Sequence, residues 1–410
     1  MMVDEMKDHL NFKIIPFWRE LRDREFGGYY GYKDFDLNVD RKAVKGCILH
    51  SRILWFFSNA AMTLDDEELM GDADHTYDFI SRFCIDRENG GVFWALNYDG
   101  SVSDDIKHTY NQAFAIYALS SYYDATVTFN RPCTEAIGEA WKLYDLIEGK
   151  CRDEIGYLEA FTRDFQPESN EKLSENGVMA EKTMNTLLHV FEAYTELLRV
   201  TKKYPDSAPE GHSAKDPADR LRWMMDTIAD KIYNPALHRQ EVFFDKYYNS
   251  IIDLHSYGHD IETAWLVDRG TEVLEDPVYT AKMSPVTEDL TRKIYERAYD
   301  NHSLLNECER GVDNKNRIWW VQAEAVLGFY NGYEKNPEHR EYLAAAEDIW
   351  QFIRTKLTDP RTGGEWYWML DENLKPVREK PFVEPWKCPY HNGRMCMEMI
   401  HRSEKKQQNA

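Results

Sequence analysis

The chain has 410 residues, 43% of them hydrophobic and 14% aromatic, enough apolar material for a large core and, by length alone, for more than one domain. Its formal charge of −22 repels nucleic acid and anionic lipid, so neither is expected as a partner; a neutral or cationic substrate suits that field better. The first ten residues lack a basic segment followed by an apolar run, and the longest apolar stretch, 53–57, is too short to span a bilayer. With seven scattered cysteines and no CxxC pair, the expected location is cytoplasmic, with free thiols.

In chain order, one unit recurs: a surface helix, a Gly/aromatic turn, then a more apolar helix. Gly27-Gly28-Tyr29-Tyr30-Gly31-Tyr32 precedes an apolar helix beginning near His50, and Gly90-Gly91-Val92-Phe93-Trp94 precedes one near His108. Gly156-Tyr157-Leu158 leads to Lys182, Val242-Phe243-Phe244 to His255, Ser303-Leu304-Leu305 to Arg317, and Gly363-Gly364-Glu365-Trp366-Tyr367 to His391. Successive helix starts lie 58, 74, 73, 62 and 74 residues apart, the period of a repeat architecture. Among the surface helices, Ile137, Ala140, Trp141, Tyr144 and Ile147 mark one face, and another helix is predicted to start with Asp216 as cap and Pro217 at its first position.

Inner helices apolar nearly all round must be buried on both sides, which a closed double ring achieves. An open solenoid would need polar capping repeats, and the terminal units look like the others. The expectation is therefore all-α: a single (α/α)6 barrel over residues 1–402, six inner and six outer helices joined by short extended Gly/aromatic turns, with a disordered tail at 403–410. Two polar stretches stand outside the repeat. Thr162–Glu181 is read as a lid and Thr201–Asp216 as a solvated excursion.

Of thirteen histidines, six fall in the inner helices or their leading turns: His50, His108, His189, His255, His259 and His391. All but His189 lie near a helix start, so they are expected to converge at one end of the barrel. Arg52, followed at once by Ile-Leu-Trp-Phe-Phe, needs a buried partner, a ligand or both. Asn185 and His189 share a face, as do His255, His259 and Glu262, with Trp265 close to it; Trp320 and Glu324 repeat the i, i+4 spacing. Trp386 and His391 open the last inner helix. Indoles beside hydrogen-bonding groups suit the mixed surface of a sugar ring.

His255-x-x-x-His259 with Glu262, or Cys388-x-x-His391, invites a metal reading, but no HExxH arrangement or four-ligand cluster is apparent, so none is expected. Asp260, Glu262, Asp313 and Glu324 would serve a glycosidase. A site rich in imidazole rather than paired carboxylates fits reversible proton transfer at carbon better.

The blocks His50-Ser51-Arg52-Ile53-Leu54-Trp55-Phe56, His108-Thr109-Tyr110-Asn111-Gln112-Ala113-Phe114, His255-Ser256-Tyr257-Gly258-His259-Asp260-Ile261-Glu262, Trp319-Trp320-Val321-Gln322-Ala323-Glu324 and Trp386-Lys387-Cys388-Pro389-Tyr390-His391-Asn392-Gly393-Arg394 closely resemble the N-acylglucosamine 2-epimerase superfamily, and within it the cellobiose 2-epimerases. The resemblance runs from about residue 1 to 402. It implies an (α/α)6 barrel, no cofactor, and conversion of the reducing-end glucose of β-1,4-linked disaccharides to mannose. It also implies Arg52, His189, His259, Glu262 and His391 as catalytic residues, and Tyr110, Asn185, Trp265, Trp320, Glu324 and Trp386 as sugar contacts. N-acylglucosamine epimerase and mannose isomerase activities, or sugar binding without catalysis, are the alternatives.

C2 epimerisation needs ring opening, loss of the C2 proton and its return on the other face. The carbon acid is weaker than imidazolium by roughly 11–12 pK units, or roughly 16 kcal/mol, so the enediolate oxygen must be stabilised by preorganised donors. Arg52 and His189 are the candidates for that task. His259 and His391 are the candidate acid/base pair, with Glu262 expected to orient His259 and Glu324 to bond hydroxyls. The protein is expected to work as a monomer on a small disaccharide.

Overall fold

A computed structural model describes residues 2–174 and 176–408. Among them, twelve long helical segments alternate between an outer and an inner ring. The outer set is α1 (2–20), α3 (70–84), α5 (Thr134–Lys150), α7 (215–232), α9 (Pro277–Ala298) and α11 (340–357); the inner set is α2 (Cys47–Leu64), α4 (Thr109–Thr128), α6 (Met184–Lys203), α8 (Tyr257–Leu274), α10 (Trp319–Lys335) and α12 (Tyr390–Gln408). Each inner helix packs on the next, and α12 packs on α2, which closes the ring. Each outer helix lies along the inner helix before it, while α1 lies along α12, so the first and last segments of the chain seal each other. No helix among the described residues is long and apolar enough to cross a membrane.

The inner helices are buried all round because neighbours and outer ring cover them on every side; Thr109–Thr126 of α4 is buried without a break. Close approach is bought by small residues. At Gly393 of α12 a Cβ would meet Phe56 of α2 at 2.5 Å, so glycine is what lets the last inner helix seat against the first.

A second repeat, of polar residues, ties the turns to the helices. Just before five of the inner helices a buried cation binds the acidic residue of the preceding turn: Lys45 on Asp23 (2.7 Å), Lys107 on Asp86 (3.1 Å), Lys182 on Asp153 (2.6 Å), Arg317 on Asp300 (3.1 Å), and Lys387 on Glu365. Five residues after the slot of the cation, another side chain holds the turn. His50 Nε2 accepts from Tyr29 N (2.9 Å), Gln112 Oε1 from Val92 N (2.6 Å), Asp260 Oδ1 from Gln240 N (3.2 Å) and Gln322 Oε1 from Leu304 N (2.8 Å), while Asn392 bonds Glu365. Buried turns would otherwise leave backbone groups unpaired. Short antiparallel pairs complete the latch, for example Lys107–His108 on Ala160–Phe161.

Three local expectations are corrected. The tail at 403–408 is helical rather than disordered, since Lys406 reaches Tyr330 OH (2.9 Å) and Glu334; the last two residues lie outside the described ones. Helix α7 starts at Lys215, not after Asp216, whose carboxylate instead accepts from Ser213 N (2.8 Å). Residues 201–216 are not one excursion: α6 runs on to Lys203 and a 3₁₀ turn covers Pro205–Ser207.

Candidate active site

Because all six inner helices follow a turn at the same end, their first turns converge there on a cavity of about 260 Å³. Arg52 comes from α2, Tyr110 from α4, Asn185 and His189 from α6, His259 and Glu262 from α8, Trp320 from α10 and His391 from α12; Trp386 lines it from the lead-in to α12. Leu173 and Asn176 bring the 162–181 loop onto the same wall, and Asn176 Nδ2 donates to Glu309 Oε2 (3.0 Å) on a facing hairpin.

Only three of the six histidines reach the cavity. His50 is a turn latch, its Nδ1 on Gly46 O (2.8 Å); His255 is held by Asp260 (2.8 Å); His108 is buried against Trp94, ring centroids 4.8 Å apart. Being near a helix start was therefore not sufficient, since that position also serves the latch.

His259 and His391 are the cavity's two central imidazoles. Both contact the Trp320 ring, at centroid distances of 4.8 and 5.5 Å. Gly258 makes room: a Cβ there would strike Trp320 at 2.5 Å. His259 Nδ1 pairs with Ser256 Oγ (2.7 Å) and His391 Nδ1 with Glu324 Oε1 (2.7 Å), which leaves each Nε2 for the cavity. Burial, aided by the charge of His189, pushes His259 down to about 3; burial, with the Arg394 and Arg52 cations, holds His391 well below the usual imidazole range. Both are neutral at pH 7 and so able to accept a proton.

Arg52 is 3% exposed and, among the described residues, pairs with no carboxylate. Its Nη2 donates to Tyr110 OH (2.8 Å) and its Nη1 to Trp386 O (3.4 Å), with the guanidinium 4.2 Å from the Phe114 ring centroid. With no carboxylate partner among the described residues, Arg52 is a buried cation beside the cavity, placed to meet an anion. Burial pushes the Tyr110 hydroxyl up to about 12, so it stays protonated. His189 Nδ1 is bound by Glu192 Oε2 (2.9 Å) and its ring meets Tyr110 edge-on at 5.0 Å. Asn185 Oδ1 and Glu262 Oε2 are buried on the cavity wall with no hydrogen-bond partner among the described residues, two acceptors left for ligand hydroxyls.

Three expected roles change. Glu262 does not hold His259; its Oε1 accepts from Arg394 Nη2 (2.6 Å). Glu324 does not face the cavity: fully buried, it takes His391 Nδ1 and Arg394 Nη2 (2.8 Å) on Oε1 and Trp265 Nε1 (2.8 Å) on Oε2. Trp265, 1% exposed, lies outside the cavity wall, with its indole nitrogen on Glu324. Helical spacing places such residues on one face but does not say which neighbouring helix that face meets. Sequence reasoning also missed Arg394, Glu192, Ser256, Trp319 and Trp368; for Arg394, three residues after His391, the signal was a cation in an otherwise buried helical turn.

Glu262, Glu324 and His391 bring ligand atoms within 4.8 Å of one another, a spacing compatible with a metal ion. The Arg394 guanidinium already bridges both carboxylates and supplies the positive charge between them.

Indole faces beside free acceptors match a sugar's alternating apolar and hydroxyl surfaces, so fold and cavity together define a carbohydrate-active (α/α)6 barrel. Comparison with known proteins narrows the class. The model of the N-acylglucosamine 2-epimerase (GlcNAc 2-epimerase) family matches residues 28–392, and the chain belongs to that family. It is 50% identical to a cellobiose 2-epimerase of Eubacterium cellulosolvens over 95% of this chain and 96% of that one. Among solved structures, a sugar epimerase from a ruminal bacterium superposes with a TM-score of 0.92 at 46% identity, covering 98% of this chain and 99% of that one. Cellobiose 2-epimerase from Bacillus thermoamylovorans B4167 superposes at 0.90 and 41%, with coverage of 98% and 99%.

Proposed function

We propose that this carbohydrate epimerase inverts C2 of the reducing-end glucose in β-1,4-linked disaccharides, converting cellobiose to 4-O-β-D-glucosyl-D-mannose and lactose to epilactose, without a cofactor. The observation that carries the reading is the pair of neutral, cavity-lining imidazoles, half-buried His259 and buried His391, both in contact with one indole. Relatives named cellobiose 2-epimerase support the disaccharide.

After ring opening, one Nε2 takes the C2 proton and the other returns one to the opposite face. A dry site makes each imidazolium costly by itself, so proton transfer is favourable only while the enediolate's negative charge is present. Arg52, with no carboxylate to neutralise it, stabilises that oxyanion together with His189; one preorganised donor of this kind contributes about 3–4 kcal/mol of the roughly 16 kcal/mol required. Trp320 and Trp386 support the sugar rings, and Asn185 and Glu262 accept from hydroxyls. The scheme uses side chains of this chain alone, and the protein is taken to act as a monomer. Seven unpaired cysteines suit the reducing cytoplasm.

Incubation with cellobiose in deuterated water, read by NMR, should yield a mannose reducing end carrying solvent deuterium at C2. Product from N-acetylglucosamine or conversion of mannose to fructose, without disaccharide turnover, would overturn the substrate. His259→Ala or His391→Ala retaining more than a few per cent of turnover would overturn the two-base scheme.

A further inference from the structure

Arg394 lies three residues after His391 on α12, 1% exposed and away from the cavity wall. Its guanidinium gathers carboxylates from three other inner helices: Glu192 of α6, Glu262 of α8 (2.6 Å) and Glu324 of α10 (2.8 Å). Among the described residues it is the one Lys or Arg paired with any of the three. Two of these carboxylates hold an imidazole of the site, Glu192 on His189 and Glu324 on His391, while the third leaves Oε2 free on the cavity wall.

We propose that Arg394 is a positioning residue for proton transfer: its charge keeps Glu324 ionised, so Glu324 accepts the Nδ1–H of His391 and leaves the Nε2 lone pair for the substrate. The inference rests on His391 being one of the two bases. One Nη2 contacts both Glu262 and Glu324, and two carboxylates that close in a dry site do not both ionise without a cation between them. Burial pushes both upward, with Glu192 adding repulsion; Arg394 opposes this on both, and Trp265 Nε1 also favours ionised Glu324. The charged or titratable groups facing this cluster include Glu192 and His189 from α6, His259 and Glu262 from α8, Arg52 from α2, Tyr110 and Tyr117 from α4, and Tyr390, His391 and Arg394 from α12. Without Arg394, a protonated Glu324 would donate to Nδ1 and force the ring proton onto Nε2, turning the base into an acid. In a serine-protease triad a comparable wrong tautomer costs about 10⁴-fold in kcat.

The test compares Arg394→Met and Arg394→Lys with wild type by C2 deuterium exchange on cellobiose across pH 5–9, and reads the His391 ring nitrogens by ¹⁵N NMR in the free protein, assigned with His391→Ala. In the Met variant kcat should fall on the order of 10²–10⁴-fold at pH 7, with KM within about threefold of wild type. The acidic limb of the pH profile should move up by at least about one unit, and His391 should switch to the Nε2–H form. The Lys variant keeps the charge without the fork, and should recover at least about tenfold of the loss. A loss constant across pH, with His391 still protonated on Nδ1, would overturn the proposal and leave Arg394 as packing alone. If the Met variant does not fold, the Lys variant decides: wild-type tautomer and pH profile with activity lost would overturn it. If wild type exchanges no C2 hydrogen, the functional reading fails, while the nitrogen spectra still decide the role of Arg394.

Discussion

Replacing Trp265 by phenylalanine separates a sugar contact from a buried support. Its indole is 1% exposed, outside the cavity wall, and donates from Nε1 to Glu324 Oε2 at 2.8 Å, while Glu324 Oε1 holds His391. Phenylalanine keeps most of the packing and deletes that donor. A hydrogen bond to a charged group contributes about 1.5–3 kcal/mol, and the smaller ring adds a cavity penalty of about 1 kcal/mol, so folding stability should fall by about 2–4 kcal/mol. If the lost donor is felt through Glu324 and His391 in proton transfer, kcat should drop roughly 10–150-fold. KM for cellobiose should move by less than about threefold, since no ligand contact is removed. Steady-state kinetics by NMR, with thermal unfolding of the same samples, reads both. A tenfold rise in KM with kcat intact would place the indole on the sugar and refute the reasoning.

Arg52→Lys should lower kcat/KM by about 10²-fold, because a buried ammonium lacks the planar fork that reaches Tyr110 OH and Trp386 O together; loss of less than threefold on cellobiose would discount Arg52 as oxyanion donor. Acid should destabilise the fold from about pH 6.5 downward. Burial holds His50 and His259 at about 3 and His9 and His108 at about 4, whereas unfolded imidazole titrates near 6.5. The unfolded chain thus binds protons the fold refuses, and stability present above pH 6.5 is lost as pH falls, by at most about 1.4 kcal/mol per unit for each histidine. Glu262 and Glu324, raised by burial, act in the opposite direction. A net loss of at least about 2 kcal/mol between pH 7 and 5 is expected from urea unfolding; an unchanged midpoint would contradict it.

The repeat was legible in the sequence because it is local. Six Gly/aromatic turns and six apolar segments place the inner helices within three residues of where they begin, from Cys47 to Tyr390, since helix periodicity and turn chemistry are properties of neighbouring residues. The same local reading brought His189, His259, His391, Arg52, Asn185, Trp320 and Trp386 to one cavity, and the family resemblance added Tyr110. What it could not supply was partnership across helices. Whether a histidine near a helix start latches a turn, as His50 does, or faces the cavity, as His259 does, depends on what the fold places opposite it. Glu324 meets His391 across 67 residues of chain, and Arg394 meets Glu192 across 202. Those distances in sequence collapse only when α12 seats on α2 and closes the ring. Tertiary structure thus decided that Trp265 and Glu324 stand behind the site, and that one buried guanidinium joins the carboxylates of three inner helices.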